Sequence, residues 1–69
     1  MDLARYMEER GIDDSTMAAK IGRSRVSVSR YRRKLEEPSV EVIRTIVAVT
    51  AGAVTANDLL GIRQKERVR

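Results

Sequence analysis

The chain has 69 residues, no Cys, no His and a formal net charge of +4. That length fits one domain, near the lower size at which a chain folds without a metal or disulfide staple, and the missing residue types exclude a disulfide framework and a His/Cys zinc site. They also remove the usual general base and the thiol nucleophile, so neither an enzyme nor a cofactor is expected.

No apolar run approaches the ~20 residues of a membrane span. The opening MDLARYMEER is too acidic and polar for a signal peptide. The expectation is a cytoplasmic protein with no membrane partner and no small-molecule ligand.

In chain order, Asp2 is placed to cap a first helix with Leu3, Tyr6 and Met7 on one face, and Gly11 to end it. Ile12, just beyond, is expected to pack back on the last turn. Asp13 then caps a second helix whose apolar positions are Met17, Ala18 and Ile21, and Gly22 stops it after two turns. Ser24 caps a third helix over about 25–34. At 100° per residue, Val28, Tyr31 and Leu35 form its buried stripe, while Val26, Ser29, Arg30 and Arg33 face the other way. Val26 is then either a tolerated surface valine or part of a contact surface. Tyr31 lies on the apolar face and is read as core, not as a base-stacking platform, which argues against single-strand binding.

Pro38 bars Glu37 from helical geometry, so the residues between the third and fourth segments form a loop. Ser39 caps VEVIRTIVAVT, where local signals conflict. Its β-branched content and the alternation of Val40, Val42, Ile46 and Ala48 favour a strand. The stripe Val40, Ile43, Val47 and Thr50 and the length favour a helix, which is the expectation adopted. Gly52 ends it. Thr55 with Asp58 three residues on resembles a capping box, opening a short fifth helix that Gly61 closes. The tail RQKERVR is basic, read either as a solubilising extension or as an arm on nucleic acid.

Charge is segregated along this frame. Residues 1–19 hold Asp2, Glu8, Glu9, Asp13 and Asp14 against Arg5 and Arg10. Residues 20–34 hold Lys20, Arg23, Arg25, Arg30, Arg32, Arg33 and Lys34 with no acid at all. Glu36, Glu37, Glu41 and Asp58 then outnumber Arg44. A local positive face of this kind is the electrostatic footprint of a phosphate-binding surface. The bland reading is a solvated arginine-rich face, since surface arginines need no partner.

The run IDDSTMAAKIGRSRVSVSRYRRKLEEPSVEVIRTIV resembles the helix-turn-helix domain of the Cro/C1-type phage repressor family. Ala18 stands four residues before the turn glycine Gly22, Ser24 at the cap of the recognition helix, Val28 and Tyr31 at its buried positions, and Pro38-Ser39 at the entry to helix 4. The resemblance covers residues 3–62. It implies an all-α, compact five-helix lambda-repressor-like DNA-binding domain over 1–62, followed by a basic tail over 63–69. Helix 3 would enter the major groove and helix 2 would cross the backbone.

The base-contacting positions implied are Arg25, Val26, Ser27, Ser29 and Arg30. Arg25 or Arg30 suits a bidentate pair with guanine, Val26 a thymine methyl, and Ser27 and Ser29 allow close approach. Arg23, Ser24, Arg33 and Lys34 are expected on phosphates, where they position without reading sequence. The implied partner is a double-stranded DNA operator bound by a homodimer. The implied role is a transcriptional regulator, a repressor of the phage, prophage or plasmid type. An antitoxin-type protein-interaction module of the same fold and an RNA-associated helical adaptor are the rival readings. The apolar residues Val47, Val49, Val54, Leu59, Leu60 and Ile62 either supply a dimer interface or complete a small core.

Three positions depart from the family pattern. Asp14 opens helix 2 where a neutral polar residue usually sits beside a phosphate. Arg32 follows the aromatic of helix 3 where Glu is common, and its expected partner is Glu8 or Glu9. Lys34 replaces the glycine that usually closes helix 3, so the helix is expected to run on to Leu35.

Overall fold

The computed structural model describes residues 1–60, and among these it contains five α-helices and no strand: α1 (Leu3–Arg10), α2 (Asp14–Ile21), α3 (Arg25–Arg32), α4 (Val40–Val49) and α5 (Ala56–Leu59). The expectations for Gly61, Ile62 and the tail 63–69 lie outside the described residues. No helix among the described residues is long and apolar enough to cross a membrane.

Each helix starts where a short polar side chain satisfies an amide that the first turn leaves without a partner. Asp2 accepts from the Arg5 N–H at 2.8 Å, Asp13 from Thr16 at 2.8 Å, Ser24 from Ser27 at 3.1 Å and Ser39 from Val42 at 3.3 Å. At α5 the bond is reciprocal. Thr55 Oγ1 accepts from the Asp58 N–H at 3.2 Å while Asp58 Oδ2 accepts from the Thr55 N–H at 2.8 Å. The same Asp58 oxygen accepts from the Met1 ammonium at 3.0 Å, which also donates to the Ala53 carbonyl at 2.9 Å. The two ends of the described chain are thereby tied together.

The first four helices all end in a left-handed residue whose successor reaches back five residues. The bonds are Ile12 N–H to Met7 O, Arg23 N–H to Ala18 O, Leu35 N–H to Arg30 O and Gly52 N–H to Val47 O, at 2.9–3.1 Å. Glycine supplies the positive φ after α1 and α2, at Gly11 (66°) and Gly22 (71°). After α3 the residue is Lys34 (62°), and after α4 it is Ala51 (54°). The expected run of helix 3 to Leu35 is therefore corrected. Lys34 itself takes the left-handed turn, α3 stops at Arg32, and Leu35 swings out of the predicted buried stripe to 65% exposure.

The core gathers Leu3, Tyr6 and Met7 from α1, Met17, Ala18 and Ile21 from α2, Val28 and Tyr31 from α3, Val42 and Ile46 from α4, and Val54. The VEVIRTIVAV segment is helical, but its phase is not the expected one. Val42 and Ile46 are buried, as is Thr50 just past the end of α4, whereas Val40 is 65% exposed and Ile43 and Val47 only half-buried. Glu41, Arg44 and Thr45, at i, i+3 and i+4, mark the outer side of α4, and Val40 lies about 40° from Arg44 on that side, so Val42 and Ile46 on the opposite side pack inward. Of the apolar surplus, Val54 is fully buried in the core, while Val49 and Leu59 pack against it and stay half-buried. Thr50, the only buried polar residue among those described, donates its hydroxyl to the Ile46 carbonyl at 2.8 Å and accepts from the Val54 N–H at 3.2 Å, anchoring the loop into α5.

Candidate nucleic-acid interface

The three residues Gly22, Arg23 and Ser24 join α2 to α3, and these two helices pack closely on each other. Gly22 turns the chain, the Arg23 amide closes the end of α2, and the Ser24 hydroxyl opens α3. Ser24 Oγ also donates to Ser27 Oγ at 3.1 Å, so the first turn of α3 carries two linked hydroxyls. Val28 and Tyr31 are buried, which fixes the rotation of α3 about its own axis.

That rotation places the predicted site residues unequally. Arg23, Ser24, Arg25, Val26, Arg30, Arg33 and Lys34 are exposed, with Val26 at 56% a large aliphatic side chain standing in solvent among arginines. Ser27 and Ser29 are half-buried. Ser27 is engaged with Ser24, and Ser29 sits between the core side and the exposed side. The structure thus brings Arg25, Val26, Arg30 and Arg33 onto one accessible strip, with Ser29 at its margin.

The cations also differ in what holds them. Among the described residues Lys20, Arg23, Arg25 and Arg33 have no ion pair. Arg30 Nη1 lies 3.7 Å from Glu36 Oε1, with both side chains about half exposed. At that distance and exposure the contact is a weak tether. Lys34 Nζ donates to the Asp58 carbonyl oxygen at 3.2 Å, so its ammonium is directed towards α5.

Arg32 is held most firmly. Its Nε donates to Asp14 Oδ1 at 2.7 Å and its Nη2 to Asp14 Oδ2 at 3.1 Å. The expected partner, Glu8 or Glu9, is corrected accordingly. Glu9 accepts from Arg5 one turn earlier at 3.1 Å, and the end of α3 reaches the start of α2 first. The bond from Arg32 is the main reason the Asp14 carboxyl is held below its ordinary value, with burial acting against it. The charges of Asp14 and Arg32 therefore satisfy each other. Helical phase turns Arg32 towards the protein as expected, but its partner is Asp14 of α2, an acid not among the two expected from α1.

Beside this pair runs a surface groove of about 420 Å³ lined by Ala4, Met7, Glu8, Ile12, Asp13, Asp14 and Arg32. Its rim is acidic where the α3 strip is basic. Among the described residues no group of three or more His, Cys, Asp or Glu side chains is arranged to hold a metal ion. No protein-family model, curated protein or solved structure matches this chain.

Proposed function

We propose that this protein is a sequence-specific binder of double-stranded DNA that regulates transcription, acting as a repressor. In this reading α2, the Gly22–Ser24 turn and α3 form a helix-turn-helix of the lambda-repressor-like kind, and α3 enters the major groove. The observation that carries it is the exposed, acid-free strip of α3, where Arg25, Val26, Arg30 and Arg33 stand clear of the core while Val28 and Tyr31 lock the helix behind them.

The chemistry of the strip suits a groove. An arginine fork matches the O6 and N7 acceptors of guanine, and an isolated aliphatic side chain matches the thymine methyl. Arg23 and Arg33, at the two ends of the helix, are spaced to meet backbone phosphates, which set register without reading sequence. One such module covers little DNA, so a two-fold homodimer on a two-fold operator completes the reading.

Selection of bound duplexes from a random DNA pool tests it. A recovered motif with two inverted halves is expected. Recovery of no motif, with retention that scales only with charge, would leave a basic surface without sequence recognition. The protein-interaction rival separates by salt, and the RNA-associated rival by competition between duplex DNA and RNA. Duplex binding loses affinity linearly in log–log form with a slope set by the phosphates contacted, whereas a neutral protein partner gives almost none.

A further inference from the structure

The acid-free run and the acid-rich segment that precedes it meet at one point, where Asp14 opens α2 and Arg32 closes α3. Both carboxylate oxygens and two guanidinium nitrogens are used, a fork-to-fork contact that fixes direction as well as distance. The side chains keep only 36% (Arg32) and 27% (Asp14) of their surface. No other cation of residues 20–34 has a carboxylate this close: the next, Arg30, is 3.7 Å from Glu36.

The start of a helix carries unpaired N–H groups and a partial positive charge, and it attracts phosphate. Here that end is already answered from within the chain. Asp13 Oδ1 takes the Thr16 N–H, and the ionised Asp14 stands in the first turn. In a helix-turn-helix, α2 lies across the DNA backbone, so a charge at its first residue acts on phosphate directly.

We propose that the Asp14–Arg32 pair limits the non-specific attraction of this protein for DNA, by withdrawing one cation from α3 and by keeping a carboxylate at the end of α2 that faces the backbone. The proposal rests on the reading of the protein as a duplex-DNA binder. Arg32 is then a positioning residue: it holds Asp14 in place and makes no phosphate contact of its own. Base-reading side chains are untouched by the pair, so sequence preference stays while sequence-independent affinity falls. The ratio of specific to non-specific binding rises as a result.

The test is the salt dependence of binding to a duplex of unrelated sequence, measured for the wild type, Asp14→Asn and Arg32→Gln, with folding of each followed by circular dichroism. Asp14→Asn keeps an amide beside Arg32 but removes the charge. It is expected to bind the unrelated duplex more tightly, with a log–log slope steeper by about 0.9 for each phosphate gained. Arg32→Gln is expected to bind more weakly with the wild-type slope. A wild-type slope in Asp14→Asn overturns the proposal. So does a slope shallower by about 0.9 in Arg32→Gln, which would mean that Arg32 grips phosphate in the wild type. If Asp14→Asn fails to fold, the slope of Arg32→Gln decides alone. A wild type that shows no salt-dependent duplex binding would overturn the functional reading and this inference together. Normal wild-type binding with an unchanged Asp14→Asn overturns only the inference.

Discussion

The two sides of α3 carry side chains of similar kinds, valine and arginine on each, yet they are used in opposite ways. On the inner side Val28 is fully buried and Arg32 is clamped by Asp14. On the outer side Val26 is mostly exposed and Arg33 has no ion pair among the described residues. Residue type therefore says little here, and rotation of the helix by half a turn says almost everything. Seven positive charges without an intervening acid are not seven equivalent contacts: among the described residues four have no ion pair, one is weakly tethered, one reaches a backbone carbonyl and one is neutralised.

The largest effect should come from the inner side. Tyr31→Ala removes a buried aromatic ring, a change that costs about 3–5 kcal/mol in a packed core. A domain of this size has a total stability on the order of 3–10 kcal/mol, so thermal melting should show most or all of the fold lost. A melting temperature within a few degrees of wild type would mean that α3 is not anchored through Tyr31.

The outer side should respond in binding and not in folding. Arg30→Ala is expected to leave the melting temperature nearly unchanged, since only the weak Glu36 contact is lost. It should cost about 1–3 kcal/mol on the selected duplex and relax base preference at one position. An equal loss on random DNA would assign Arg30 to phosphate instead. Val26→Ser should cost less, on the order of 1 kcal/mol, confined to a thymine-containing step. Repeating the duplex selection with this variant checks it, because an unaltered motif would return Val26 to an ordinary surface valine.

The difference between the two sides could be derived from periodicity because Val28 and Tyr31 are apolar and Arg30 and Arg33 are not. The starts of all five helices are equally plain, since Asp2, Asp13, Ser24, Ser39 and Thr55 each accept from the amide three residues on. What local pattern could not supply were features set by distant packing. The face of α4 is the exception: Glu41, Arg44 and Thr45, at i, i+3 and i+4, mark its outer side, and the stripe expected through Val40 passes over them. Only Glu8 and Glu9 are expected as partners of Arg32, and the approach of the α2 start to the α3 end, which brings Asp14 within 2.7 Å, has no local signature. The end of α3 was misassigned because no glycine marks it.

Acid should act on the inner pair and on two of the caps. Asp13 is held below its ordinary value of 3.8 chiefly by the Thr16 amide, Asp14 by Arg32, and Asp58 by the Thr55 amide with help from the Met1 ammonium. Carboxylates with depressed values contribute stability that is present above the unfolded value and is lost as pH falls through the folded one. Melting temperature should therefore be flat from neutral pH to about 5 and fall below about 4. A profile that stays flat through that window would show that these bonds add nothing to the folded state. Asp14→Asn should soften the fall without abolishing it, since Asp13 and Asp58 remain.

The smallest effect concerns Lys34, and it separates stability from binding. A left-handed conformation costs an L-residue roughly 1–2 kcal/mol, and glycine escapes that cost while losing more freedom on folding. Lys34→Gly should accordingly stabilise the fold by about 0.5–1 kcal/mol, less whatever the exposed bond to the Asp58 carbonyl contributes. Ala51→Gly, at the matching position after α4, removes the same strain where no functional side chain is at stake. If Lys34 grips phosphate in the complex, its glycine variant should melt higher yet bind duplex DNA more weakly, with a slope shallower by about 0.9. Ala51→Gly should melt higher and bind as before. Equal behaviour of the two variants in both assays would show that the lysine at the end of α3 is there without a role in binding. A split between them would identify strain kept at Lys34 because the ammonium, and not the turn, is what that position has to provide.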